Sequence, residues 1–167
     1  MTYTLDQFAA DCRAALKTDS GVAGQGKVVE CVEKALKDEA FVEKYLGSAT
    51  ADREIIYQDP ELGFCICAHS YSDARQGYPH DHGPTWAIYG QAVGETSMTD
   101  WKMVQPPKGD EPGLVEKTAT YVMKPGDAHH YPVGAIHAPY RAGPTKLIRI
   151  EGCDASKVTR TPLKAVS

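Results

Sequence analysis

The chain has no long apolar run, no cluster of basic residues and no export leader. No stretch approaches the roughly 20 apolar residues that span a bilayer. The first residues, Met1–Asp6, lack the basic and apolar regions of a signal peptide. The net charge is −4, and no basic run predicts nucleic-acid binding. These absences predict a cytoplasmic protein that binds neither a membrane nor nucleic acid.

The chain has an odd number of cysteines and no export signal, which argues against a disulfide framework. Two of the cysteines form a C-x-C pair on a strand-like segment, whereas redox and zinc motifs carry C-x-x-C. We interpret this pair as two thiols of the core. The five cysteines are Cys12, Cys31, Cys65, Cys67 and Cys153.

The length of 167 residues suits a single domain, residues 1–167, with a real core. Residues 1–47 carry helical periodicity. We predict a capping box at Thr4 and Gln7, a glycine-rich turn from Gly21 to Gly26, and a stop at Gly47. Residues 51–155 contain short β-rich runs separated by glycine and proline, which predict a sandwich or barrel. From about Ser156 the chain is expected to be loose.

Two short segments carry three histidines in a pattern typical of a metal site. His80 and His82 stand two residues apart, so on a strand they would point to the same face. The third, His137, ends a segment rich in glycine and proline. Three neutral imidazoles that meet at one point form a transition-metal site with open positions. We therefore predict that His80, His82 and His137 bind a metal ion.

These two segments resemble the paired motifs of the cupin superfamily. His80, His82 and Gly94 match positions of the first motif. The second motif is matched throughout by a glycine, a Pro-x-Gly turn and a histidine, which are Gly126, Pro132, Gly134 and His137. The resemblance implies a mainly β fold, the cupin double-stranded β-helix. This fold is a small jelly-roll barrel, here with a short N-terminal helical segment.

The acidic ligand of the first cupin motif is missing, because Trp86 and Ala87 stand where it is expected. A three-histidine pattern is similar to that of the thiol dioxygenases, the cysteine dioxygenase-like branch. The resemblance implies non-haem iron(II), dioxygen and oxidation of a thiol to a sulfinate. The late strand, Thr145–Glu151, departs from that branch, since Arg149 and Glu151 replace its Ser-x-His-x-Tyr pattern.

Three further residues are candidates for the site. Strand alternation places His69 on the face shared with Cys65 and Cys67, which the resemblance turns inward, where a histidine can act as an acid or base. Tyr89 offers the phenol that the late strand lacks, and Arg53 offers a guanidinium for a substrate carboxylate. The alternatives are a hydrogen-bonded structural or surface histidine at His69, a core tyrosine at Tyr89 and an exposed strand arginine at Arg53.

The function indicated is a mononuclear metal-dependent enzyme, with a non-haem iron(II) dioxygenase of small mercapto acids as the first hypothesis. Iron(II) is the expected cofactor, and zinc, nickel and manganese remain open because imidazole accepts several ions. Its partners would be a small anionic substrate and dioxygen, and the protein would be a monomer or homodimer. A lyase, isomerase or hydrolase acting on a small acid or sugar, and a non-enzymatic ligand-binding cupin, are the competing readings.

Overall fold

The computed structural model describes residues 2–166 and begins with a small helical layer. The capping box predicted at Thr4 is confirmed: the Gln7 amide donates to Thr4 Oγ1 at 3.1 Å, and the Thr4 amide donates to Gln7 Oε1 at 3.0 Å. None of the helices described is long and apolar enough to cross a membrane. The helices are α1 (Leu5–Thr18), α2 (Val22–Lys37) and α3 (Glu39–Val42), followed by a π-helical turn, Glu43–Gly47.

The glycine-rich segment is helical, so the prediction of a turn from Gly21 to Gly26 is wrong. Helix α2 begins at Val22 and includes Gly24 and Gly26. A Cβ on Gly24 would lie 1.5 Å from the carbonyl oxygen of Asp19, at the end of α1. The glycine is therefore required by the close approach of two helices, which local propensity does not reveal.

We expect alanine to change the free energy of unfolding in opposite directions at the two helical glycines. Gly24→Ala should lower the free energy of unfolding by about 1–3 kcal/mol or more, because the new methyl group collides with backbone. Gly26→Ala is the matched control. Nothing lies within 4 Å of a Cβ there, so the better helix propensity of alanine should raise stability by about 0.5–1 kcal/mol. Urea unfolding measures both, and equal effects at the two positions would contradict this account of the helix pair.

The rest of the chain forms two five-stranded sheets. Their strand orders are β1-β2-β9-β4-β7 and β10-β6-β5-β8-β3, and every pairing is antiparallel except β10 with β6. The strands are β1 (Glu54–Gln58), β2 (Cys65–Tyr71), β3 (Arg75–Gln76), β4 (Ala87–Val93), β5 (Thr96–Gln105), β6 (Gly113–Met123), β7 (Ala128–Tyr131), β8 (Ile136–Arg141), β9 (Thr145–Glu151) and β10 (Leu163–Ala165).

The helices cover the outer face of the first sheet, and this leaves its inner face for the site. Ile66, Ile88 and Ile150 belong to the core cluster that the helices share, together with Val32 of α2. Because side chains alternate along a strand, their neighbours point into the space between the sheets. The inner cluster there consists of Ala87, Tyr89, Met98, Met123, Tyr131 and Leu147.

Two further segments differ from the prediction. The chain at His80–His82 is not a strand, since only His80 makes a β-bridge, to His137. Pro79, without an N–H, precedes the bridge, and a turn at Gly83 with φ +60° follows it. The segment from Ser156 to Val166 is not loose throughout. After a 3₁₀ turn at Ala155–Lys157, strand β10 pairs with β6, beyond the barrel boundary expected at residue 155.

Candidate metal centre

Backbone pairing brings the histidines of the two motifs together. The His80 amide donates to the His137 carbonyl, and the His137 amide donates to the His80 carbonyl, each at 3.0 Å. The glycines of the second motif, Gly126 (φ +98°) and Gly134 (φ +89°), supply the left-handed turns on either side of β7. His82 completes the group, in which one ring nitrogen of each residue lies within 4.8 Å of the others.

The three rings are suited to a metal ion. Both ring nitrogens of His137 are buried without a hydrogen-bond partner in the described part of the chain, which is costly unless something else binds them. His80 Nδ1 donates to the Tyr78 carbonyl at 2.8 Å, so its Nε2 keeps a free lone pair. Burial lowers the pKa of His80 to about 4 and that of His82 to about 3, and it lowers the pKa of His137 well below its usual value. All three imidazoles are therefore neutral, as metal ligands must be.

No carboxylate joins this group among the residues that the structure describes. Trp86 lies in the core on the helical side, and Glu95 is exposed. Asp81, between the two histidines, turns away from them and accepts the amides of Gly83 and Thr161, each at 3.0 Å. The donor set is three imidazoles, which carry no charge to offset that of a divalent ion.

Tyr89 lies against the histidine group. Its side chain is buried, and its hydroxyl lies 3.1 Å from His82 Nε2. The same hydroxyl accepts a hydrogen bond from Arg149 Nη1 at 3.1 Å. The phenolic proton is thus directed away from Arg149, towards the side on which the histidine group lies.

Arg53 lies in a buried ion-pair network. Glu151, which is fully buried, accepts from Arg53 through one carboxylate oxygen at 2.6 Å and from Arg149 Nε through the other at 2.8 Å. Arg53 also pairs with Asp154 at 2.9 Å. Burial alone would raise the pKa of Glu151, but Arg149 and Arg53 lower it to about 2. Arg53 thus forms ion pairs with two carboxylates. The role of Arg53 in substrate binding stays a prediction.

His69 belongs to a second cluster, with Cys67 and Glu151, whose candidate ligand atoms also lie within 4.8 Å of one another. Both oxygens of Glu151 are bound by arginines, so a cation there would face two guanidinium groups. His69 Nδ1 lies 3.1 Å from the Tyr71 hydroxyl, and its Nε2 has no partner. This second cluster is poorly suited to a metal ion, and a catalytic role of His69 remains a prediction.

The buried His69 ring should make stability sensitive to acid. Burial lowers its pKa from 6.5 to about 3, so between these values the unfolded chain binds the proton more readily. This contribution is complete above pH 6.5 and declines as the pH falls towards 3. Between pH 7 and 5 we expect it to reduce the unfolding free energy of the metal-free protein by about 2 kcal/mol.

Urea unfolding of the metal-free protein at the two pH values measures this loss. His69→Gln removes the titrating ring, so its stability should decline by about 2 kcal/mol less than that of the wild type. The comparison uses the difference between two pH values in each protein, so any general weakening by glutamine cancels. Parallel curves for the two proteins would contradict the assignment.

Sequence reasoning assigned no role to Arg149, which is partly buried, or to Arg141, which is buried. Arg149 donates a hydrogen bond to the Tyr89 hydroxyl and forms an ion pair with Glu151. Arg141, on β8, is 5 % exposed, and its guanidinium lies 4.7 Å from the centre of the Tyr71 ring. Strand alternation from His137 would have placed Arg141 on the same face. The contact of Tyr131 with His137, at 4.0 Å between ring centres, has no comparable local signal.

Comparison with protein-family models found no match, and neither did comparison with curated protein sequences. Solved structures do match. BH2720 from Bacillus halodurans has a TM-score of 0.54 at 14% identity, over 73% of this chain and 86% of that protein. The Cnp3 cupin domain of Schizosaccharomyces pombe has a TM-score of 0.49 at 12% identity, over 67% of this chain and 69% of that one.

A third similar structure is an uncharacterised conserved protein of Klebsiella pneumoniae with a double-stranded β-helix domain. Its TM-score is 0.48 at 11% identity, over 73% of this chain and 88% of that protein. At such low identity the likeness concerns the fold alone. The two curled sheets and the short helical layer of this chain are consistent with a double-stranded β-helix. The chain has the cupin double-stranded β-helix fold and carries a three-histidine group that could hold a metal ion.

Proposed function

We propose that this protein is a mononuclear iron(II) dioxygenase that oxidises the thiol of a small mercapto acid to a sulfinate. The observation that carries the proposal is the donor set. Three neutral imidazoles meet there, and no carboxylate of residues 2–166 joins them. In the balanced reaction, one thiol and one dioxygen give one sulfinic acid, so both oxygen atoms end on sulfur. The bound iron would supply a binding place for thiolate and dioxygen and the electrons for oxygen activation.

The charge of the site favours an anionic substrate. His80, His82 and His137 bring no negative charge to the metal, so an anion that binds there is not repelled. Glu151 is the buried carboxylate nearby, and it is already shared by two arginines. A thiolate with a carboxylate on a short chain matches both features.

The protein's own residues position the ligands and hold one proton. Tyr78 fixes the tautomer of His80 through its carbonyl, and the paired backbone of His80 and His137 fixes the relative position of these two ligands. Arg149 donates to the Tyr89 hydroxyl, which leaves the phenolic proton for an acceptor on the side of His82. Tyr89 can therefore donate a hydrogen bond to a reacting atom in this space. The buried rings of Tyr89 and Tyr131 exclude water from the same space.

Removal of the Tyr89 hydroxyl should slow turnover without loss of metal. Tyr89→Phe keeps the ring and removes the proton donor, so we expect kcat to fall about 100-fold. The matched control is Tyr131→Phe, because that ring also packs on His137 but its hydroxyl bonds Tyr121. Metal content and kcat are measured on both variants. If the Tyr89→Phe enzyme keeps the full kcat, the Tyr89 hydroxyl does not contribute to turnover.

Oxygen consumption tests the proposal directly. The iron(II)-loaded protein should consume dioxygen with 3-mercaptopropionate or another small mercapto acid, and the product should gain the mass of two oxygen atoms. A zinc-loaded sample is the control and should be silent. No uptake over a full panel of thiols, with iron bound, would reject the proposal.

One observation favours a second candidate, a Lewis-acid reaction on a small organic acid or sugar. Arg149 and Glu151 form an ion pair on β9, where the thiol dioxygenases carry a Ser-x-His-x-Tyr pattern. In that reaction zinc, manganese or nickel would polarise a substrate oxygen. Turnover under nitrogen separates the candidates, since a lyase or isomerase continues and a dioxygenase stops.

A further inference from the structure

The inner face of strand β8 carries a cation that no carboxylate of residues 2–166 neutralises. Arg141 lies four residues after His137, so strand alternation puts both on the same face. Arg141 is 5 % exposed, whereas Tyr140 beside it is 46 % exposed, and this confirms which way each side chain points. No ion pair of Arg141 is found within residues 2–166, and its Nε is buried without an acceptor.

The surroundings of Arg141 explain why this cation is unusual. Its guanidinium lies over the ring of Tyr71, at 4.7 Å from the centre, and the exposed Arg75 lies near the same ring at 5.2 Å. Arg75 is paired with Asp52, at 2.9 and 3.1 Å, and Arg149 is paired with Glu151. Arg141 alone of these three arginines lacks a counter-ion in the described structure. A buried unpaired charge is strongly unfavourable, so a position that retains one is a candidate binding site.

Two further polar atoms near Tyr71 also lack partners. Thr145, directly opposite Tyr71 on β9, has a buried hydroxyl without a hydrogen bond, and His69, two residues before Tyr71, has a buried Nε2 without one. Neighbouring buried polar atoms that all lack a partner indicate a place for a polar ligand group. A carboxylate suits it, because it accepts from both a guanidinium and a hydroxyl.

We propose that Arg141, with Thr145, binds the carboxylate of the substrate while the other end of the substrate binds at the three-histidine group. This inference rests on the proposed function, because it takes that group as the place of reaction. It assigns the carboxylate to Arg141 and not to Arg53, whose guanidinium already bonds Glu151 and Asp154. It also defines the substrate class, a short thiol or other metal-binding group joined to a carboxylate.

The test compares three thiols that share two methylene groups after the sulfur and differ in the group that follows. These are 3-mercaptopropionate with a carboxylate, 2-mercaptoethanol with a hydroxyl, and 2-aminoethanethiol with an ammonium group. Binding to the iron(II)-loaded protein is measured by calorimetry without dioxygen. The wild type should prefer 3-mercaptopropionate. Arg141→Met should weaken that ligand about 10- to 100-fold and change the affinity for 2-mercaptoethanol less than about twofold.

Arg75→Met is the matched control, because it removes the other arginine beside Tyr71, one that is exposed and paired. It should leave all three affinities unchanged. Thermal unfolding without ligand separates binding from structure. Methionine should leave the melting temperature of the Arg141 variant unchanged or raised, since the unpaired buried charge is gone.

The inference is overturned if Arg141→Met binds 3-mercaptopropionate as tightly as the wild type, or if all three thiols lose affinity equally together with a lower melting temperature. It is also overturned if the wild type shows no preference for the carboxylate. Failure of the proposed function looks different. If Arg141 confers selective binding of the carboxylate but no oxygen is consumed, the dioxygenase proposal is rejected and the role of Arg141 stands. If oxygen is consumed and the KM of the Arg141→Met variant is unchanged, the role of Arg141 is rejected and the dioxygenase proposal stands.

Discussion

His137→Gln should abolish metal binding while the protein remains folded. The ring is fully buried and supplies one of three ligands, and the amide that replaces it is a weak donor to a transition metal. Changes to groups that merely support a ligand already cost 10- to 100-fold in metal affinity, so loss of the ligand itself should exceed about 100-fold. Metal analysis after reconstitution with iron(II) should fall from about one ion per chain to a small fraction, and turnover should disappear with it.

The chain offers a close control for this experiment. His129 lies on β7, in the same motif as His137, but its ring stacks on Tyr121 at 4.7 Å between centres. His129→Gln should keep the metal. Circular dichroism and thermal unfolding of the metal-free proteins test whether both variants fold. If the folded His137→Gln protein retains full metal content, the ion binds elsewhere and the proposed chemistry fails.

Glu151→Gln should be among the most destabilising conservative substitutions in this chain. The amide has nearly the same shape but removes the one negative charge that lies between Arg149 and Arg53. A buried charge without its partner is strongly unfavourable, so the free energy of unfolding should fall by about 3–5 kcal/mol. For a protein of this size that loss corresponds to a melting temperature lower by roughly 6–20 °C.

The cause can be separated from a general effect of the substitution. In the double variant Arg149→Met and Glu151→Gln the unpaired cation next to Tyr89 is gone, so part of the loss should be recovered. Glu116→Gln is the surface control, because Glu116 pairs with Lys102 where both side chains are largely exposed. It should cause no measurable change. Strictly additive losses in the double variant would show that Arg149 and Glu151 do not interact as described.

Local spacing was sufficient for the elements that depend on a few neighbouring residues. The capping box at Thr4 needs only Gln7, three residues on, and it forms as predicted. The alternation along β2 correctly separated the residues that face the helices from Cys67 and His69, which face inward. The second motif predicted the position of His137 because its glycines and proline specify turns through their own backbone preferences.

Local spacing failed where a distant segment decides the conformation. Gly24 lies inside α2, where the absence of a Cβ permits the close approach of Asp19 at the end of α1, although glycine alone favours a turn. His80 makes an isolated bridge to His137, which belongs to the other motif, and spacing within the first motif does not reveal that pairing. Strand β10 forms only because β6 offers it an edge, and nothing in its own three residues predicts a strand.

The amino-acid sequence alone determined which residues can ligate a metal and which kind of scaffold carries them. The ligands follow from the chemistry of the histidine side chains, and the scaffold follows from turns that a few neighbouring residues specify. Only the tertiary structure decided the charge balance of the site. It pairs Arg53 with Glu151 across 98 positions of the chain and leaves Arg141 without a counter-ion in the described part of the chain. Such pairing is a property of distance in space, since the Coulomb energy and the cost of burial depend on which groups the folded chain brings within a few ångströms.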